Sequence, residues 1–187
     1  MIRETETLPT WDLADLYSGV DDPKLDADME ISKQQAVNFE QQYKGSIAVE
    51  SLTATHLRAA LDAYEALLCA EYKPQAFAML HFSSNTQDPQ RGALLQKTRE
   101  FGRPAATHLV FFDLEIGQIP QSTYDGIAGD DQLTPYRHYL DQQRELAAHN
   151  LTESAEKILV ETANSRGQAF ARLFTEIHGR TRDTLER

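Results

Sequence analysis

The side chains that could bind a metal ion or transfer a proton are six histidines, one cysteine and 29 carboxylic acids in a chain of 187 residues. The histidines are His56, His81, His108, His138, His149 and His178. A zinc hydrolase of the H-E-x-x-H type needs a histidine followed directly by a glutamate, and no His-Glu dipeptide occurs in the chain. It also lacks a G-x-S-x-G sequence, a P-loop and a G-x-G-x-x-G sequence. We therefore predict no catalytic, cofactor-binding or metal-binding residue here.

Glu145 and His149 are spaced i, i+4 on a predicted helix and could in principle share a metal ion. A dinuclear site in a helical bundle uses two E-x-x-H repeats with further inward glutamates, and no E-x-x-H sequence occurs. We therefore interpret the two residues as a charge pair at a helix end. His108 lies at the edge of an apolar stripe, where we predict a hydrogen-bonded core histidine.

Asp113 and Glu115 lie beside two aromatic residues in the sequence Phe111-Phe112-Asp113-Leu114-Glu115. Residues two positions apart point to different sides of a helix, so these carboxylates cannot form a close acid–base pair. At best one of them faces a cleft. We favour an amphipathic helix with both acids in solvent.

Two other features carry reactive or polar side chains. Cys69 is the single cysteine, which excludes a disulfide framework and a cysteine-rich zinc site. Because it lies in an apolar helical stretch, we predict a buried, unreactive thiol. The sequence Tyr136-Arg137-His138-Tyr139 could line a groove for a peptide backbone, or it could fasten two helices through tyrosine hydroxyls. We favour fastening.

Helix start signals determine the elements that would position these side chains. An N-cap residue precedes proline in Asp22-Pro23, Asp88-Pro89 and Thr134-Pro135, and three threonines, Thr10, Thr53 and Thr152, are further candidate caps. Apolar residues recur at helical spacing after most of these caps. The longest stripe runs from Pro89 to Ile116 with Pro104 inside it, which predicts one long central helix with a kink.

Further helices are predicted over 23–45, over 53–74 with a break or kink at Pro74, and then over 121–128, 133–148, 152–164 and 168–186. Loops are predicted at 18–22, 45–52, 84–88 and 129–134. No segment alternates with period two for long enough to be a strand, and the β-like patch Val110-Phe111-Phe112 keeps the helical period on both flanks. The predicted fold is all-α, an array of about six to eight helices.

Composition and charge exclude several classes of protein. The net charge of −11 argues against binding to nucleic acid, and no apolar run approaches the roughly 20 residues that span a bilayer. The first residues lack the apolar core of a signal peptide, so we expect a cytoplasmic protein. Residues 1–50 are acidic and the end of the chain is slightly basic. We favour solvated helix faces for both, and the alternative is a basic last helix that docks on an acidic surface.

The segment Leu8–Tyr17 contains the only tryptophan, Trp11, together with Leu13 and Leu16. Exposure of these side chains with Tyr17 would favour aggregation. We therefore predict that this segment packs against the helices and fixes the start of the chain.

Seven segments, in the same order and at similar spacing, resemble the amino-terminal region of the oligoendopeptidase F family of zinc metallopeptidases, in the thimet oligopeptidase-like clan. They are Leu8–Tyr17, Tyr64–Leu68, Asn85–Pro89, Phe111–Glu115, Leu133–Leu140, His149–Leu159 and Gly167–Phe174. The resemblance implies a helical lobe that forms one wall of a deep channel for short peptides. In the family, zinc is held by the two histidines of H-E-x-x-H and a later glutamate, with the motif glutamate as general base. Phe170 stands where the family often has tryptophan.

From the resemblance we expect residues 1–187 to form a single α-helical domain, the amino-terminal lobe of a longer peptidase whose catalytic domain is absent from this chain. The parent enzyme would need zinc, whereas this chain alone would bind none and cleave no peptide. Its partners would be the catalytic lobe of the same polypeptide and short peptide substrates, and the isolated domain could dimerise through an exposed apolar patch. The alternative is a free-standing all-α interaction module without enzymatic activity.

Overall fold

The structure, a computed structural model, describes residues 11–163 and 167–180, apart from the side chains of residues 168, 179 and 180. These ranges contain seven α-helices and no strand, which confirms the all-α prediction. The α-helices are α1 (Pro23–Tyr43), α2 (Ala54–Ser84), α3 (Pro89–Gly117), α4 (Gln121–Ile127), α5 (Arg137–Leu146), α6 (Glu153–Thr162) and α7 (Gly167–Arg180). Two 3₁₀ turns, Asp131–Tyr136 and Ala147–His149, flank α5.

Four of the predicted caps start helices. Asp22 and Asp88 accept hydrogen bonds from the backbone N–H groups at the starts of α1 and α3, each with proline at the first helical position. Thr53 and Thr152 cap α2 and α6 in the same way. Thr10 lies outside the described residues.

The prediction that Thr134 caps a helix is wrong. The Asp130 carboxylate instead accepts a hydrogen bond from the Gln132 N–H and starts the 3₁₀ turn, with Pro135 inside it, so that α5 begins at Arg137. Thr134 therefore lies inside the turn that Asp130 caps, and not at the start of a helix.

Two prolines lie inside long helices. The helix continues through Pro74 from Ala54 to Ser84 and through Pro104 from Pro89 to Gly117, so Pro74 causes no break. Pro74 is buried, and Leu67 before it and Phe77 after it both belong to cores. Packing on both sides therefore holds the helix together although proline removes one backbone hydrogen bond. The kink at Pro104 stays a prediction.

Two apolar cores hold the helices together, and α3 contributes side chains to both. The larger core surrounds Phe39, Phe111 and Phe112, where α1, α2, α3 and α5 meet. The second contains Leu25, Met29, Phe77, Phe82, Leu94 and Leu95. The β-like patch at 110–112 is helical, because both phenylalanines enter the larger core at helical spacing.

The segment after residue 10 packs on the second core, as predicted, but through Tyr17 and not through Trp11. The buried Tyr17 ring packs edge-on against Phe77 at 5.3 Å, and its hydroxyl donates to Asp28 at 2.8 Å. Leu13 and Leu16 are half-buried, whereas the Trp11 side chain is 65% exposed. Within the described ranges, no helix is both long and apolar enough to cross a membrane.

Candidate interaction surface and polar clusters

Tyr136 and Tyr139 fasten helices, as the sequence analysis favoured. The Tyr136 hydroxyl lies 2.8 Å from Asp62 Oδ1 and 2.5 Å from Glu65 Oε2, both on α2. The Arg58 guanidinium covers the Tyr136 ring at 5.2 Å. The hydrogen bond to Glu65, followed by burial, raises the pKa of Tyr136 above its ordinary value, so this hydroxyl remains a donor at neutral pH.

Tyr139 reaches α3 instead, and its hydroxyl donates to Asp113 Oδ1 at 2.5 Å. Asp113 is half-buried, and burial raises the pKa of its carboxyl although the bond from Tyr139 opposes that shift. Tyr64 on α2 lies beside the pair, and burial raises its pKa as well. The prediction that Asp113 lies in solvent is therefore wrong: the pair of tyrosines covers it where α2, α3 and α5 meet.

Glu115 is also not a solvated acid, because its carboxylate binds the chain that follows α1. It accepts hydrogen bonds from Gly45 N at 2.7 Å and from Ile47 N at 3.1 Å. Gly45 has a positive φ of 79°, the conformation in which glycine ends a helix, as predicted for this position. Glu115 thus fixes the loop between α1 and α2 on α3. As expected from their spacing, Asp113 and Glu115 have separate partners.

Cys69 is exposed, so the prediction of a buried thiol is wrong. The cause is that α2 contributes to both cores, to the larger one up to Leu67 and to the second one from Phe77 onward. Between these two stretches, Leu68, Cys69 and Tyr72 face solvent. These three residues line an open groove of about 670 Å³ on the outside of α2, beside Leu16.

The histidines are dispersed. His108 Nδ1 lies 2.5 Å from Glu40 Oε2, so the predicted hydrogen bond exists, but the side chain is partly exposed and lies outside the core. Glu145 and His149 are both exposed, with the end of α5 between them, and no ion pair joins them in the part of the chain that the structure describes. Over the same residues, no three His, Cys, Asp or Glu side chains come together as a metal site would require.

Helix α6 places its charges toward the other helices and two large apolar residues outward. No residue of α6 is buried. Lys157 forms an ion pair with Glu40 of α1, and Glu153 forms one with Lys44, the residue after α1. In contrast, Ile158 is 58% exposed and Leu159 is also exposed. Ala155 and Val160 are half-buried, so the inner face of α6 mixes charged and apolar side chains, while its outer face carries two large apolar ones.

Helix α7 adds a larger apolar surface. Phe170, Leu173, Phe174 and Ile177 follow the i, i+3, i+4, i+7 spacing of one helix face, and all four are exposed, with Phe170 at 73%. We call Ile158, Leu159, Phe170, Leu173 and Phe174 the outer apolar residues. Single exposed apolar side chains are common, but a helix face made of them marks an interaction surface.

Residues 115–182 match the family model described as Oligopeptidase F, the peptidase M3 amino-terminal family. This part of the chain is similar to the amino-terminal domain of oligopeptidase F. The matched residues run from the end of α3 through α7 and include the three last segments on which the resemblance was based, as well as the outer apolar residues. They cover about a third of the chain. Comparison with curated proteins and with solved structures found no match.

The outward direction of Ile158 and Leu159 on α6 was not predicted from the sequence. Glu153 and Lys157 are an evident i, i+4 pair, and Ile158-Leu159 an evident apolar pair. Sequence spacing shows that these pairs lie on different sides of the helix. It does not show which side faces the bundle, because the usual assumption that apolar residues point inward fails here.

Proposed function

We propose that this chain is the amino-terminal, substrate-enclosing part of an oligopeptidase F-like zinc endopeptidase that hydrolyses short peptides in the cytoplasm. The observation that carries the proposal is the match to the oligopeptidase F family over residues 115–182. The chain's own residues bind and position other parts of the enzyme, and the hydrolytic chemistry lies outside this chain.

The outer apolar residues support a docking role within that enzyme. Phe170, Leu173 and Phe174 lie inside the matched residues, so they belong to the part of the chain that is similar to the family. Burial of a large apolar side chain stabilises an interface by about 1.5–3 kcal/mol. We propose that the catalytic lobe of the same polypeptide covers this face, and that the helical lobe then forms one wall of a channel that admits short, unfolded peptides.

Zinc is the cofactor that the family implies, and the described residues do not fit it. His108 binds Glu40, and no third ligand joins this pair among the described residues. Nor does the full sequence contain the H-E-x-x-H motif. We therefore assign no step through zinc to this chain.

The first test reads the encoding gene beyond the codon for Arg187. The proposal expects an open reading frame that continues into a sequence with H-E-x-x-H. A stop codon directly after Arg187 would contradict it and favour a free-standing interaction module, for which the outer apolar residues would be the docking surface of another protein.

The second test measures binding between this chain and the separately expressed catalytic part. The double variant Phe170→Ser/Phe174→Ser should weaken binding by at least 100-fold, since two large apolar contacts are lost. The matched control Trp11→Ser/Tyr72→Ser removes two similarly exposed aromatic side chains elsewhere and should leave binding unchanged. Equal effects of both double variants would argue against α7 as the docking face.

Without the catalytic part, we expect the unmodified chain to dimerise through α7, and analytical ultracentrifugation would measure this.

A further inference from the structure

We propose that an open cavity between α3 and α6 binds a small zwitterion, a free amino acid or a short peptide, with Arg103 as the partner of its carboxylate and Glu161 as the partner of its ammonium group. The choice of amino acids and peptides among zwitterions rests on the proposed function, because a peptidase that hydrolyses short peptides releases both. The site itself rests on the cavity and on the bonds that its charged side chains make and lack.

The cavity lies where α6 packs along α3. It has a volume of about 350 Å³, and the described residues that line it are Glu100, Arg103, Pro104, Thr107 and His108 of α3 and Glu161 of α6. Pockets for small molecules have volumes of roughly 300–1,000 Å³, so this cavity suits a ligand at the small end of that range. Its lining combines one guanidinium group, one imidazole ring and two carboxyl groups.

Arg103 has donors that no described group accepts. Its Nη1 donates to the Glu161 carbonyl at 3.1 Å, but Nε is buried without a hydrogen-bond partner, and Nη2 donates to none of the described residues. Nε and Nη2 form one edge of the guanidinium, and such an edge binds a carboxylate through two parallel hydrogen bonds. Buried donors without a partner are rare and costly. A ligand carboxylate at this edge would supply the missing acceptors.

The two glutamates of the cavity are not neutralised by Arg103. Glu161 is exposed, and its carboxylate has neither a hydrogen bond nor an ion pair with a described residue. Glu100 accepts a hydrogen bond from the neutral amide of Gln96 at 2.5 Å. Neither carboxylate forms an ion pair with Arg103 within the described ranges. Opposite charges therefore line one cavity without joining each other.

His108 adds an acceptor to the same cavity. Its Nδ1 lies 2.5 Å from Glu40 Oε2. Because an ionised carboxylate only accepts hydrogen bonds, Nδ1 carries the proton of this contact, and Nε2 of the neutral ring remains as an acceptor. No described group donates to Nε2. The cavity thus offers an imidazole nitrogen beside its carboxylates for the donors of an ammonium group.

The charges of the lining favour a ligand that carries both signs. A small anion would meet Arg103 but would be repelled by Glu100 and Glu161, and a small cation would be repelled by Arg103. A molecule with a positive and a negative end has a partner for each charge and brings no unpaired charge into the cavity. Free amino acids and short peptides have this form at neutral pH, since their α-carboxyl group is ionised and their α-amino group is largely protonated.

NMR titration of the 187-residue chain with alanyl-alanine tests the site. The Nε–H of Arg103 gives its own resonance in a ¹H–¹⁵N correlation spectrum, and we expect the dipeptide to shift it in a saturable manner. N-acetyl-alanyl-alanine lacks the ammonium group and alanyl-alanine amide lacks the carboxylate, so each should bind about tenfold more weakly. Free alanine is titrated in parallel to distinguish an amino-acid site from a peptide site, and saturable binding of either zwitterion supports the proposal.

Glu161→Gln removes one charge from the cavity and should leave the fold intact, because that carboxylate has no described partner. It should weaken the binding of alanyl-alanine about tenfold and leave the binding of the acetylated peptide unchanged. Glu145→Gln is the matched control, since Glu145 is an exposed glutamate on α5 outside the cavity, and it should change neither affinity. Arg103→Lys keeps the charge but loses the two parallel hydrogen bonds, so it should reduce the difference between the acid and the amide of the dipeptide.

The proposal is overturned if the blocked peptides bind as tightly as alanyl-alanine, if acetate or ammonium alone binds as tightly, or if no resonance of the cavity shifts. Equal effects of Glu161→Gln and Glu145→Gln would also overturn it. None of these readouts involves peptidase activity, the catalytic part or the gene beyond Arg187. A failure here is therefore distinguishable from a failure of the proposed function.

Discussion

At the scale of single residues, the half-buried carboxyl group of Asp113 depends on its neighbours for its protonation behaviour. Tyr139 donates to it from α5, and Tyr64 shields it from α2. Its folded-state pKa is raised by burial, so the folded chain holds this proton more tightly than the unfolded chain does. The resulting contribution to stability is fully present below the ordinary pKa of aspartate and is lost as pH rises through the folded-state pKa.

The variant Asp113→Asn should remove this pH dependence, because the amide is neutral at all pH values and its oxygen still accepts from Tyr139. We expect the variant to be at least as stable as the unmodified chain at pH 7.5, and its gain in stability on going to pH 5 to be smaller. Urea unfolding at both pH values measures the two differences. Asp141→Asn is the control, since Asp141 also accepts from a tyrosine, Tyr124, but is exposed. A pH dependence that survives Asp113→Asn intact would refute the assignment.

At the scale of elements, Glu115 determines the path between α1 and α2. Its two acceptor bonds hold Gly45 and Ile47, and Ile47 enters the larger core. Glu115→Ala leaves both N–H groups without this acceptor, which should cost about 1–3 kcal/mol of unfolding free energy. Amides of residues 45–52 should also exchange faster than in the unmodified chain.

Glu100→Ala provides the comparison on the same helix. Glu100 is exposed and accepts a hydrogen bond from Gln96, four residues away on α3. Its removal should change the unfolding free energy by no more than about 0.5 kcal/mol. Similar losses for the two alanine variants would mean that the loop does not depend on the Glu115 carboxylate.

At the scale of the whole molecule, Tyr17 joins the segment before α1 to the helices. The ring contacts Phe77, the hydroxyl binds Asp28, and Lys73 Nζ lies 4.5 Å from the ring centroid. Tyr17→Ala should therefore lower the unfolding free energy by about 3–5 kcal/mol, the usual cost of removing a buried aromatic ring. Trp11→Ala should lower it by less than about 0.5 kcal/mol, because that side chain is mostly exposed. Urea titrations of both variants, followed by circular dichroism, distinguish an anchor at Tyr17 from one at Trp11.

Local chemistry let the sequence predict most of the helices. Asp22, Asp88, Thr53 and Thr152 act within four residues of their own position, and apolar spacing over 89–116 follows directly from the helical repeat. The sequence also predicted that Tyr136 and Tyr139 join helices, because a buried tyrosine hydroxyl needs a hydrogen-bond partner. The order of seven short segments also resembles that of the oligopeptidase F family, and the family model confirms this similarity over residues 115–182.

By itself, then, the sequence determined an all-α chain, the starts of its main helices and its likeness to oligopeptidase F. Only the tertiary structure decided that Asp113 and Glu115 have hydrogen-bond partners, that Cys69 is exposed, and that Ile158 and Leu159 of α6 face outward while Glu153 and Lys157 form ion pairs with the bundle. The physical reason is that spacing along a helix determines which side chains share a face. Which face is buried depends on the partners of that helix, which come from distant parts of the chain.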